Sequence, residues 1–294
     1  SEQQQNTRQV AVNTFQLGTV RLLQERYAEA LEIYAEAREQ FAALGEPGSV
    51  ATVWHQIGMV HKRQRQFDPA EQAYRQSLAI KVQQRNRAGD AGSLTELGNL
   101  YNNWGRLEEA VNCYRQAADI AVELHDTFKE GLRRSNLADT LIKLQRYAEA
   151  RRELQRAIAC GKSYGHAAEP WKTWDILYDL ETATGNPTAA AQARAQAIAA
   201  YRAYRHDGGE SQTTGARLAA LVLQAIRQGD TGEAEQALNQ VAAADIPHSA
   251  KFMISKLQAI LGGACDPALA TDPALHYTDA VEVELLLEAV RTEN

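Results

Sequence analysis

Along most of the chain apolar residues recur at i, i+3, i+4 and i+7, the stripe of an amphipathic helix with one face turned to a core. The stripes come in pairs, and the pairs repeat every 40 residues. Leu17-Gly18, Ile57-Gly58, Leu97-Gly98, Leu137-Ala138 and Leu177-Tyr178 mark the first stripe of each pair at that interval. In the second stripe Ala30, Ala70, Ala110, Ala150 and Ala190 stand in step. They are followed by Tyr34, Tyr74, Tyr114, Leu154 and Arg194, and then by Ala37, Ser77, Ala117, Ala157 and Ala197. Internal repetition of this length means stacked supersecondary units. The pattern predicts five helix pairs, at about 8–46, 48–86, 88–126, 128–166 and 168–206.

A Gly or Ala on the first helix lets the second approach closely. The invariant Ala of the second helix is expected to meet it, and the aromatic after it to fill the gap to the next pair. Breakers separate the helices. Trp104-Gly105-Arg106 and Thr184-Gly185-Asn186-Pro187 read as tight turns, with glycine in the left-handed position that ends a helix. Between pairs stand Gly45-Glu46-Pro47-Gly48, Asn86-Arg87-Ala88-Gly89-Asp90, His125-Asp126-Thr127 and Tyr164-Gly165-His166. One such pair cannot bury its own apolar face, so stacking must supply the core.

The 40-residue register stops near residue 206, but the helical stripes go on at 216–227, 232–243, 249–261 and 278–291. Charge changes at the same place. Residues 1–206 hold 26 Lys+Arg against 24 Asp+Glu, and residues 207–294 hold 5 against 13. The acidic segment is read as degenerate repeats capping the array, packed on the open end of pair five, where Ile198 and its alanine neighbours would otherwise meet water.

The Gly, Ala, aromatic and small residues at these spacings resemble the tetratricopeptide repeat family over residues 8–206, with the best match from Leu97 to Ala110. The longer period is similar to arrays of the LGN and kinesin light chain families and to sensor arrays of bacterial signal-transduction ATPases. The resemblance implies an all-α fold: a right-handed superhelical solenoid of helix-turn-helix repeats. It also implies that first helices line a concave groove for a protein or extended peptide. The groove positions would be Thr52, His55, Met59, Lys62 and Arg63 in repeat two. Repeat three would add Thr95, Asn99, Asn102 and Asn103, repeat four Ser135, Asp139 and Lys143, and repeat five Asp175 and Asp179. Asn99 and Asn102 carry both donors and an acceptor and suit an extended backbone. The family's Lys/Asn clamp for an acidic C-terminus is not reproduced, because Phe15 and Thr19 occupy its first positions.

Candidate chemistry is sparse. The sequence has no phosphate loop, no GxGxxG fingerprint after a strand, no nucleophile elbow and no HExxH. Of seven histidines only His55 and His61 are close, and six residues apart they do not share a helical face. No cofactor and no metal are expected, and the chain reads as non-enzymatic. A net charge of −6 argues against non-specific nucleic-acid binding. No apolar run is long enough to span a membrane. Cys113, Cys160 and Cys265 form no paired motif and fit a reducing cytoplasm. The opening Ser1-Glu2-Gln3-Gln4-Gln5 is polar and reads as the edge of a piece of a longer protein. The leading expectation is a peptide- or protein-binding array, the sensor or scaffold segment of a larger bacterial-type regulatory protein with an attached N-terminal effector or nucleotide-binding domain. The alternative is a structural or self-association array that holds such a domain inactive or dimerises.

Overall fold

A computed structural model describes residues 2–293, leaving Ser1 and Asn294 outside the description. Among the described residues the chain is helical throughout, with no strand. The helices divide into two compact units, Ser1–Ser163 and Tyr164–Asn294.

The first unit holds four helix pairs. They are α1 (Glu2–Leu23) with α2 (Tyr27–Ala43), α3 (Pro47–Arg63) with α4 (Phe67–Gln83), α5 (Arg87–Trp104) with α6 (Leu107–Glu123), and α7 (Thr127–Lys143) with α8 (Tyr147–Gly161). From α1 to α8 each helix packs on the one that follows it within the unit. Three-residue linkers separate most of them. One residue of each linker takes a left-handed backbone, at Glu25, Gly45, Arg65, Arg85, Gly105, His125 and Gln145, one every 20 residues. Gly105 shows how the turn closes the helix. Its N–H donates to the Asn102 carbonyl, and the Arg106 N–H reaches back to Tyr101 at 2.9 Å. At the other helix ends the Asn86 and Asp126 side chains accept from the N–H groups of Gly89 and Lys129.

The 40-residue marks meet inside each pair, though differently from the sequence expectation. The tyrosine of the second helix lies on the glycine of its own first helix instead of filling a gap to the next pair. A Cβ built on Gly18, Gly58 or Gly98 would come within 2.8 Å of the rings of Tyr34, Tyr74 and Tyr114, respectively. All three rings are buried. In pair four the aromatic contact gives way to Ala138 and Leu154, both fully buried.

The hydroxyls of these tyrosines point at one register position on the first helix. Tyr34 meets Thr19 at 3.1 Å, and Tyr114 donates to the Asn99 carbonyl oxygen at 2.6 Å. Pair two carries Met59 there, and the buried Tyr74 hydroxyl has no hydrogen-bond partner.

The second unit begins with a 3-10 turn at Gly165–Ala168, followed by α9 (Pro170–Ala183) and α10 (Pro187–His206). Then come α11 (Thr214–Gln228), α12 (Gly232–Ala242), α13 (His248–Leu261) and α14 (Tyr277–Glu293). The compact-unit boundary thus falls before pair five, not at residue 206 where the charge changes. The reason is packing: the last helix, α14, lies against α10 and also against α11 and α13. Trp171, Tyr201 and Tyr277 form one buried cluster with Ala197 and Val281. Glu282 of α14 is buried and accepts from the Tyr201 hydroxyl and from Arg205, both at 2.8 Å. A second core gathers Val222, Leu238, Leu257, Val283 and Leu286.

Three outcomes follow from this packing. Gly98→Ala forces a methyl into the Tyr114 ring and should destabilise the chain by about 1–3 kcal/mol, the usual cost of overpacking, measured by urea unfolding. Tyr114→Phe should cost about 1 kcal/mol by breaking a hydrogen bond, whereas Tyr74→Phe removes an orphaned hydroxyl and should cost nothing or stabilise. Equal losses for the two would contradict the hydroxyl assignment. In the second unit burial raises the Asp279 carboxyl above its usual range, with His276 opposing. A raised carboxylate weakens the fold as pH climbs from the ordinary value near 3.9 through the raised one. Asp279→Asn should therefore raise Tm at pH 7 and leave it unchanged near pH 3.

Candidate functional site

Three successive first helices, α3, α5 and α7, border a cavity of about 600 Å³ in the first unit. Thr52 and His55 come from α3, Thr95 and Glu96 from α5, and Phe128, Leu132, Arg133 and Asn136 from α7. Lys81, from the end of α4, closes one wall. Gly89 and Gly92 on α5 keep that side of the cavity free of bulk. Short side chains at the helix contacts therefore do two things: they allow close stacking, and they leave the longer polar side chains to reach across.

Polar bridges tie the three helices together. Lys62 on α3 pairs with Glu96 on α5 at 2.7 Å. Arg133 on α7 donates its Nε–H to the Thr95 hydroxyl at 3.2 Å, and Thr95 in turn donates to the Ala91 carbonyl. Lys143 on α7 donates to the Asn102 carbonyl oxygen at 3.0 Å while pairing with Asp139 at 2.8 Å. Asn99 is held between Tyr114, whose hydroxyl it accepts, and Glu96, to which it donates at 3.2 Å.

Of the residues the sequence singled out, Thr52, His55 and Thr95 line the cavity. Lys62 and Asn99 reach it through Glu96. Asn102, Asp139 and Lys143 form a separate polar cluster between α5 and α7. Met59 is half-buried beside Tyr74, and Arg63 and Asn103 are exposed. Ser135 is buried, with its hydroxyl donating to the Gly131 carbonyl of its own helix, so it faces the packing and not the cavity. Asp175 belongs to the second unit, where it lies 3.5 Å from His276. Neither Asp175 nor Asp179 lines this cavity. Lys62 is neutralised by Glu96.

Sequence reading missed Lys81 and Arg133, yet the 40-residue register carried the signal. Lys81 stands where Phe41 and Ala121 stand, and Arg133 where Val53 and Ser93 stand, all four of them buried. A cation at a core register is the anomaly to look for. Burial pulls both the Lys81 ammonium and the Arg133 guanidinium below their usual pKa. It also lowers the His55 imidazole, helped by the nearby Lys81 charge, and the buried His55 Nδ1 has no hydrogen-bond partner. Such a wall can recognise polar and anionic groups. Among the described residues no cluster of His, Cys, Asp and Glu is arranged to hold a metal, and no helix is long and apolar enough to cross a membrane.

Known proteins share this architecture. The tetratricopeptide repeat pattern matches residues 9–81 and 89–163, just over half of the chain. The transcriptional activator NprA of Geobacillus stearothermophilus is 24% identical over 143 residues, which are 48% of this chain and 35% of that protein. The Arabidopsis thaliana protein kinesin light chain-related 3 is 26% identical over 147 residues, 47% of this chain and 22% of that protein. The chain thus spans about a third or less of the length of these curated relatives. Among solved structures, a Rap protein complexed with Competence and Sporulation Factor is similar in fold, with a TM-score of 0.52 at 14% identity, covering 95% of this chain and 74% of that one. Stacked helix pairs at a 40-residue interval, a tyrosine on each glycine and the matching family pattern lead to one conclusion: the chain belongs to the tetratricopeptide repeat family.

Proposed function

We propose that the cavity between α3, α5 and α7 binds an extended segment of another protein, and that the array is the recognition part of a larger regulatory protein. The observation that carries this reading is the cavity itself. Three successive first helices bring Thr52, His55, Thr95, Arg133 and Asn136 to one recess, beside the apolar Phe128 and Leu132. The polar groups are also held in place. Glu96 is fixed by Lys62 and Asn99, and Thr95 by Arg133 and the Ala91 carbonyl. Donors and acceptors held before binding lose less freedom when a ligand arrives.

The relatives support the same reading. The fold is typical of protein–protein interaction; one relative is a transcriptional activator, and one similar structure is a complex with a factor. We read the chain as non-catalytic. Asn99 and Asn102 each keep a free amide N–H after their internal bonds and would pair with the backbone of the bound segment.

Selection of dodecapeptides from a random library against the intact chain tests this. Binders should lose about five- to thirtyfold in affinity on Asn102→Ala, the scale of one buried hydrogen-bond partner. Asn99→Ala should do the same when made in a Tyr114→Phe background, so that no hydroxyl is orphaned. The exposed Asn112→Ala on α6 should change nothing. Selected peptides indifferent to both asparagines and to His55→Ala would overturn the assignment.

A further inference from the structure

Two cations in the cavity wall are in an unusual condition. Arg133 is only 7% exposed, and its guanidinium makes one hydrogen bond, from Nε to the Thr95 hydroxyl. Four of its five N–H donors thus have no protein acceptor. No carboxylate lies within ion-pair distance of Arg133, and Asp126 acts on it through its charge alone. Glu130 is taken by Arg134 and Arg156 at 2.8 Å each, and Asp126 by Lys129 at 2.6 Å. Glu96 is taken by Lys62. Lys81 is half-buried and donates to the Ser93 hydroxyl at 2.8 Å. Asp90 acts on Lys81 through its charge alone, and its own ion-pair contact is to Arg87, at 3.6 Å.

A desolvated cation without an acid is costly in a folded chain. Here two of them replace residues that are buried in the neighbouring pairs, and both face the same recess. The missing element is an anion. The flat guanidinium fork suits two coplanar oxygens, and a nearby ammonium adds charge without geometric demand. His55 offers a further polar atom at the same wall.

We propose that this recess is a subsite for a carboxylate side chain, so that the bound segment carries an Asp or Glu whose oxygens pair with Arg133 and Lys81. The proposal rests on reading the cavity as the partner site, and it specifies the ligand: an acidic peptide engaged through a side chain.

The test uses the intact chain and small probes, so that its failure is separable from failure of the peptide selection. The probes are acetyl-Ala-Asp-Ala-amide, its Asn counterpart and inorganic phosphate, followed by the Arg133 Nε–H signal in ¹H–¹⁵N spectra and by Tm. The Asp peptide should shift that signal saturably and raise Tm, and the Asn peptide should do neither. Arg133→Met and Lys81→Met should each weaken Asp-peptide binding about tenfold or more, the scale of a charge-assisted hydrogen bond. Free Arg133→Met should melt at the same temperature as the parent or higher, because it removes an unpaired buried charge. A lower Tm for Arg133→Met together with no response of the parent to the Asp peptide would make Arg133 a structural tie between α5 and α7, and would overturn the proposal. Phosphate saturating at lower concentration than the Asp peptide would also overturn it, in favour of a phosphoryl ligand. A response to the Asp peptide, with selected dodecapeptides indifferent to the cavity, would leave the subsite standing and remove only the wider reading.

Discussion

The contact between a tyrosine ring and a residue with no side chain sets the geometry of the first unit. Where Gly18, Gly58 and Gly98 stand, the helix offers bare backbone, and the ring of the paired helix lies directly on it. That fixes how close the two helices come and at what rotation, since a ring on backbone has little room to slide. The left-handed residue recurring every 20 positions then returns the chain at a constant interval, so each pair meets the next in the same way. Stability is distributed along the stack, and no pair is complete without its neighbour.

Regular stacking also creates the recess. Because every pair repeats the same placement, equivalent positions on α3, α5 and α7 come together, and whatever side chains they carry face one another. Most of those positions are filled to suit the stack. The exceptions are informative: Met59 leaves the Tyr74 hydroxyl unpaired, and Lys81 and Arg133 put charge where Phe41 and Val53 put hydrocarbon. These departures crowd into and around one cavity. Of the buried side-chain atoms without a hydrogen-bond partner, His55 Nδ1 belongs to this wall, while those of Arg21, Gln40 and Arg205 lie elsewhere in the chain.

The second unit solves a different problem. An array must end, and the last pair has an apolar face with no successor. Here the final helix, α14, returns to α10, with Tyr277 packing on Tyr201 and Glu282 accepting from Tyr201 and Arg205. The partner of pair five is thus distant in sequence, unlike every helix contact of the first unit. The acidic composition after residue 206 includes this buried Glu282 as well as surface charge.

The helices, their pairing and the 40-residue interval were legible in the chain alone, because each depends on local geometry: stripe period, turn residues and small residues at fixed offsets. The helices after residue 206 were legible within about two residues for the same reason. Family membership followed from those same positions. What could not be read was anything that depends on residues far apart in sequence. That α14 covers α10 is decided by which apolar faces fit, and no repeat marks it. That Lys62 is spent on Glu96 and Ser135 on its own helix depends on neighbours whose reach no spacing rule contains. Lys81 and Arg133 lie between these cases. Their register was visible and their residue types odd, but a charge is isolated only in relation to every acid around it, and that relation exists only once the helices have stacked.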